Sequence, residues 1–128
     1  MNVDERELMN ELIAKVIGGV YEVANLLGAG FLEKVYERAL VIELRLRGLG
    51  AEAQAPIRVL YKGEAIGDYY VDVLVECKLI VELKCVDCIA NEHMAQCLNY
   101  LKATNHNVAL LVNFQHPKIE WKRIVHNF

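Results

Sequence analysis

The stretch Tyr69–Lys84, Y-Y-V-D-V-L-V-E-C-K-L-I-V-E-L-K, carries two strands and the turn between them. Apolar residues alternate at Val71, Val73 and Val75, and a second apolar run covers Leu79 to Val81. In an extended chain side chains two apart share a face, so Glu82 and Lys84 project together while Leu83 points away. A turn near Glu76 to Lys78 sets a hairpin register that brings Asp72 opposite Glu82. Two carboxylates and a lysine then converge at one strand end.

Carboxylate oxygens hold hard divalent cations such as Mg²⁺, and such an ion stabilises charge on a phosphoryl group and acidifies an attacking water. A neighbouring lysine can orient that water or neutralise developing charge. The set suits phosphodiester hydrolysis. The same residues have a plainer reading, because a Glu-x-Lys on a strand is commonly a solvated ion pair worth roughly 0 to 1 kcal/mol. A lone Asp in a strand often marks an edge.

Upstream, Ala53 to Tyr61 reads as a strand, and Pro56, which cannot donate to a ladder, places it at a sheet edge or starts it near the proline. Lys62-Gly63-Glu64 is a turn into a long strand from Ile66 to Glu76, so this strand, its predecessor and Leu79 to Lys84 form an antiparallel meander. Before them lie two helices. The first runs from Asp4 to Leu27, with Leu8, Leu12, Ile13, Val16, Ile17, Val20, Val23, Ala24 and Leu27 at amphipathic spacing. Gly18-Gly19 in its middle marks a kink or a close packing, and the unbroken stripe favours packing. Gly28-Ala29-Gly30 ends it. The second helix spans Phe31 to Arg47, with Phe31, Leu32, Val35, Tyr36, Ala39 and Leu40 on its apolar side. Glu33 and Glu37 share another face, which on spacing alone is a solvated one.

Downstream, a helix from Ile89 to Ala103 directs Met94, Ala95, Cys97, Leu98 and Leu101 inward. Gln96 and Tyr100 lie on a neighbouring face, with His93 one turn earlier. Val108 to Phe114 is a near-continuous apolar run, the pattern of a strand covered on both faces. A helix between this run and the preceding strand implies a crossover and a parallel pair. A last strand covers Ile119 to Val125.

The 128 residues are expected to form one domain, 1–128, able to bury roughly two-thirds of its unfolded surface. Hydrophobic residues make up 55% and charged residues 24%, a globular composition. No apolar run is long enough for a membrane span, and the acidic start M-N-V-D-E-R-E-L has no signal-peptide pattern, so a cytoplasmic location is expected. The formal charge of -3 weighs against a general nucleic-acid binder. Four cysteines in such a chain are expected to be reduced. Cys85-x-x-Cys88 has the spacing of a metal knuckle, but no second pair or histidine cluster completes four ligands.

Read together, G-F-L-E-K-V-Y at Gly30–Tyr36, V-D at Val71-Asp72, V-E-L-K at Val81–Lys84, Q-C-L-N-Y-L-K at Gln96–Lys102 and L-L-V-N-F at Leu110–Phe114 resemble the PD-(D/E)XK nuclease superfamily. Within it, the pattern is similar to the small stand-alone proteins named for a G-x-x-E-x-x-Y motif. The resemblance covers nearly the whole chain. It implies an α/β (α+β) fold of the restriction-endonuclease-like kind, a mixed central sheet flanked by helices. Asp72 and Glu82 match the metal-binding acidic pair and Lys84 the motif lysine. Glu33 matches a helical glutamate that reaches the metal directly or through water, and Gln96, with Tyr100, a helix position used near the site. Ala29 stands where the family usually has proline, and Val71 replaces the proline of the motif's name.

The resulting expectation is a metal-dependent endonuclease acting on nucleic acid, DNA before RNA. Mg²⁺ or Mn²⁺ would be held by Asp72, Glu82 and the Leu83 carbonyl with help from Glu33. Lys84 would position the attacking water, and the resemblance further implies a 5′-phosphate product. One alternative is a binding or accessory module of the same fold with little hydrolytic activity. The other is a protein-interaction or assembly unit. Arg45, Arg47, Lys102, Lys118, Lys122 and Arg123 are the candidate phosphate contacts, and whether they line one groove beside Asp72 separates the nuclease and binding-module readings from the interaction unit. A homodimer is compatible with the nuclease reading, since small nucleases often need two copies to span a duplex.

Overall fold

Asn2 starts the first helix: in the computed structural model, which describes residues 1–128, its side chain accepts from Glu5 N at 2.8 Å, satisfying one of the free donors of a helix start. This helix, α1 (Val3–Leu27), buries Met9, Ile13, Val16, Val20 and Val23. Leu8, expected inward, is solvent-exposed; Met9 takes its place, four residues before Ile13 on the buried stripe. The helix runs unbroken through Gly18-Gly19. A Cβ on Gly19 would come within 2.9 Å of Leu44 Cδ2, so the glycine serves close packing against the second helix.

That helix, α2 (Glu33–Leu46), begins two residues later than its sequence suggests, and its orientation also differs. Phe31, Leu32 and Val35 are exposed, and the buried stripe is Tyr36, Glu37, Leu40, Val41 and Leu44. Tyr36, Leu40 and Leu44 follow one another at four-residue intervals and fix which face meets the sheet.

The strands are β1 (Ala51–Tyr61), β2 (Glu64–Val75), β3 (Leu79–Lys84), β4 (Val108–Asn113) and β5 (Glu120–Val125). They form one mixed sheet in the order β1-β2-β3-β4-β5, antiparallel throughout except for the parallel pair of β3 and β4. The third helix, α3 (Asn91–Thr104), connects that pair. Pro56 lies on the edge strand. Lys62 and Gly63 take φ of 50° and 82°, the left-handed pair of a tight hairpin turn whose twist matches its strands. Glu76 and Cys77 do the same between β2 and β3, at 52° and 55°.

Two cores result. On one face α1 and α2 enclose Val73, Val75, Leu79, Val81, Leu83, Leu110 and Val112. On the other, Cys97, Tyr100 and Leu101 of α3 cover Ile80, Ala109 and Leu111. Ala95, expected inward on α3, is exposed, and Tyr100 fills the buried position instead. All of β4 is buried, as its unbroken apolar run requires. No helix is long and apolar enough to cross a membrane.

Candidate metal and phosphodiester site

The β2–β3 ladder runs from Val75↔Leu79 to Val73↔Val81 and then opens. Asp72 and Glu82 are the next pair in that register, and their side chains replace the missing ladder bonds. Asp72 N donates to Glu82 Oε1 at 2.9 Å, and Leu83 N donates to Asp72 Oδ2 at 2.8 Å. The strand also changes face here: Val73 and Val75 lie in the core under α1 and α2, whereas Val71 joins the core under α3. Across the edge strand Ala53↔Val73 and Ala55↔Val71 pair normally, and Gln54 between them sits at φ 52°. Left-handed backbone in a residue bearing Cβ costs about 1 to 2 kcal/mol, and such strain concentrates at functional sites.

Glu82 is only 4% exposed. No lysine, arginine or histidine makes an ion pair with it or with Asp72. Burial first, and then the Asp72 charge, push the Glu82 carboxyl up to about 8. Burial also raises Asp72, against the opposing effect of the Leu83 N–H bond. Desolvation disfavours a charged carboxylate and a second one beside it compounds the cost. Glu82 therefore holds a proton into the neutral range until a cation displaces it. Lys84 lies on the same face of β3 as Glu82, and its Nζ donates to Gln96 Oε1 at 3.3 Å. The lysine and glutamine singled out from the sequence thus meet.

Two further carboxylates approach from α2. Glu33 Oε2 accepts from Cys85 N at 3.1 Å, just past the end of β3. Glu37, 4% exposed, pairs with Lys34 Nζ at 2.7 Å and accepts from Gln54 Nε2. Gln54 Nε2 also lies 3.5 Å from Asp72 Oδ1. Glu33, Lys34, Glu37, Gln54, Asp72 and Leu83 line a cavity of about 220 Å³. Glu37 and Gln54 were not singled out from the sequence. A signal for Glu37 existed: Leu40, Val41 and Leu44 follow it at three, four and seven residues, the spacing of a buried helix stripe.

Tyr36 explains the glycine-glutamate-tyrosine spacing. Its hydroxyl donates to Gly28 O at 2.6 Å and accepts from Phe31 N at 3.3 Å, and its ring stacks on Phe114 with centroids 4.5 Å apart. It clamps the loop through Gly28 and Gly30, whose φ of 71° and 109° suit glycine, and so fixes where α2 begins. Of Phe31, Leu32 and Tyr36, all expected on the apolar side of this helix, only Tyr36 is buried.

The basic residues separate. Arg45 bonds Ala51 O, Arg47 pairs with Glu43, and Arg123 bonds Asn10. None of the six candidates lines the cavity beside Asp72, whose one cation is Lys34. His93 Nδ1 accepts from Ala90 N at 2.9 Å and caps α3.

The donor set fits a hard divalent ion. A buried and a half-buried carboxylate, neither in an ion pair, favour one, and Glu82 Oε1 is held by Asp72 N. No three carboxylate, imidazole or thiol side chains converge on one ion-sized volume. Main chain and water would complete the shell, as is usual for Mg²⁺.

Comparison with known proteins places this arrangement. The chain is similar over 93% of its length to a solved structure titled "Crystal structure of SSO0001", at 17% identity with a TM-score of 0.59. At that identity the likeness is one of fold, and the chain spans 59% of the other's length. No curated protein matches the chain. A family model described as the PD-(D/E)XK nuclease superfamily matches residues 10–124, the span that holds both carboxylates, the lysine and all five strands but the last residue. The chain belongs to the PD-(D/E)XK nuclease superfamily.

Proposed function

We infer that the chain is a metal-dependent nuclease that hydrolyses phosphodiester bonds in nucleic acid, DNA in the first instance, and that it belongs to the G-x-x-E-x-x-Y branch. The observation that carries this reading is the crossed pair Asp72–Glu82: one buried and one half-buried carboxyl group, both with raised proton affinity and neither in an ion pair. Asp72, Glu82 and the Leu83 carbonyl would hold Mg²⁺ or Mn²⁺, with Glu33 acting through water from its place on Cys85 N. A bound divalent ion supplies charge neutralisation at the phosphoryl group and a more acidic water. Lys84 orients the nucleophile, and Gln96 holds the Lys84 ammonium in place. The branch assignment is supported by Tyr36, which ties the glycine loop to the helix start that carries Glu33. Residues 1–128 act as one domain in this reading, in the cytoplasm.

Calorimetric titration of Mg²⁺ and Mn²⁺ into wild type, Asp72→Ala and Glu82→Ala, followed by cleavage assays on single-stranded, duplex and branched DNA, tests it. Wild type is expected to bind metal and cleave, and both variants to lose both properties while remaining folded. A wild type that binds no metal even with DNA present would refute hydrolysis by this route.

A further inference from the structure

On the side of the sheet covered by α3 runs a second groove, of about 730 Å³, between that helix and the β1–β2 hairpin. Its walls include Gln96, Asn99, Tyr100 and Lys102 from α3, and Leu60 and Tyr69 from the hairpin. It adjoins the lysine of the site already described, because Gln96 in its wall accepts from Lys84. The Tyr69 ring stands 6.1 Å from that of Tyr100 at a tilt of 50° and remains 51% exposed. Tyr61 and Tyr70 are exposed farther along the same hairpin.

The groove's charge is the informative feature. Lys102 is its one cation and Glu92 its one carboxylate, so its walls carry no net charge. Duplex binding draws on several phosphate contacts at once, and neither this groove nor the cavity beside Asp72 offers them. An unpaired base can add stacking on an aromatic ring, worth about 1 to 3 kcal/mol, to the few backbone contacts a lysine such as Lys102 supplies, and a paired base cannot. Side-chain amides such as Asn99 can bond the exposed edges of an unstacked base.

We propose that this groove binds an unpaired nucleotide, stacked on Tyr69 and bonded by Asn99, so that the site acts on single-stranded nucleic acid or on the single-stranded portion of a branched one. The proposal rests on the nuclease reading for its place beside the scissile bond, but its binding test does not.

Fluorescence anisotropy in EDTA, with a labelled oligothymidylate and a labelled duplex of equal length, measures binding without cleavage. Wild type is expected to bind the single strand more tightly than the duplex. Tyr69→Ala should weaken single-strand binding by roughly 5- to 150-fold, the worth of one stacked base, and Asn99→Ala should weaken it less. Tyr69→Phe, which keeps the ring, should bind as wild type does; because Tyr69 is exposed, all three variants are expected to fold, checked by circular dichroism. Equal or tighter duplex binding, or a Tyr69→Ala variant that binds the single strand unchanged, overturns the proposal. Metal-dependent cleavage with no single-strand preference would leave the nuclease reading standing and remove this one. Single-strand binding that needs the Tyr69 ring supports this one even if no cleavage is found.

Discussion

Asp72 and Glu82 fasten each other's strands: the Glu82 carboxylate takes the Asp72 N–H at 2.9 Å, and the Asp72 carboxylate takes the N–H of Leu83 at 2.8 Å. The bonds hold open a sheet that would otherwise zip further, and they do so with two carboxyl groups, one buried and one half-buried. Structure and reactivity are therefore coupled through the same four atoms.

The coupling has a pH signature. The Glu82 carboxyl sits at about 8 in the fold against an ordinary value of 4.5. A folded pKa above the unfolded one gives stability that is fully present below the unfolded value and is lost as pH rises through the folded one. Metal-free protein is thus expected to lose stability between about pH 4.5 and 8. Thermal melts in EDTA across that range check the slope, and added Mg²⁺ should raise Tm more at pH 8 than at pH 5, where protons compete for the same oxygens. Glu82→Gln keeps an acceptor for Asp72 N and removes the buried charge. At pH 8 without metal it should be more stable than wild type by about 2 kcal/mol, since an uncompensated buried charge is replaced by a neutral amide. A lower Tm would contradict the account.

Gln54 is strained for a reason that substitution can isolate. Its φ of 52° suits glycine, while its amide joins Glu37 to Asp72. Gln54→Gly and Gln54→Ala both remove the amide and should weaken divalent-ion affinity alike. In urea unfolding the glycine variant should exceed the alanine variant by about 1 kcal/mol, the cost of a Cβ in left-handed backbone. Equal stabilities would mean the backbone here carries no strain.

The helix crossing offers a test of packing alone. Gly19→Val would place Cβ within 2.9 Å of Leu44 Cδ2 and add two methyl groups to a closed interface. Overpacking costs typically about 1 to 3 kcal/mol, so a Tm decrease of several degrees is expected. Leu44→Ala in the same chain should restore part of it by making room, although Leu44 alone is a core loss; the double-mutant cycle reads the coupling.

Much of this was legible in the chain. The Leu79–Lys84 strand has the bounds that its apolar run and Glu-x-Lys end imply, and the ten-residue spacing to Asp72 gave the right register because the intervening turn is tight. The parallel partner followed from the apolar run Val108–Phe114. Two things were not legible. Gln54 adopts left-handed backbone because the strand opposite it changes face at Asp72, and nothing local to Ala53-Gln54-Ala55 signals that. Glu37 looked solvated because helix α2 carries two overlapping apolar stripes, one through Leu32 and Val35 and one through Leu40, Val41 and Leu44. Only the position of the sheet decides between them. A charge on the buried stripe then becomes a site residue.

Tyr36→Phe probes the link between motif and chemistry. The substitution keeps the stack on Phe114 and removes the hydroxyl that joins Gly28 O to Phe31 N. Losing those two bonds should cost about 1 to 2 kcal/mol in urea unfolding. The larger consequence is positional: with its loop released, α2 can fray over the first turn, and Glu33 loses its fixed approach to Cys85 N. Divalent-ion affinity should fall several-fold in calorimetry, and Glu33→Gln added to Tyr36→Phe should lower it little further, because both changes act through the same carboxylate. Fully additive losses would show that the tyrosine supports the fold without placing the glutamate.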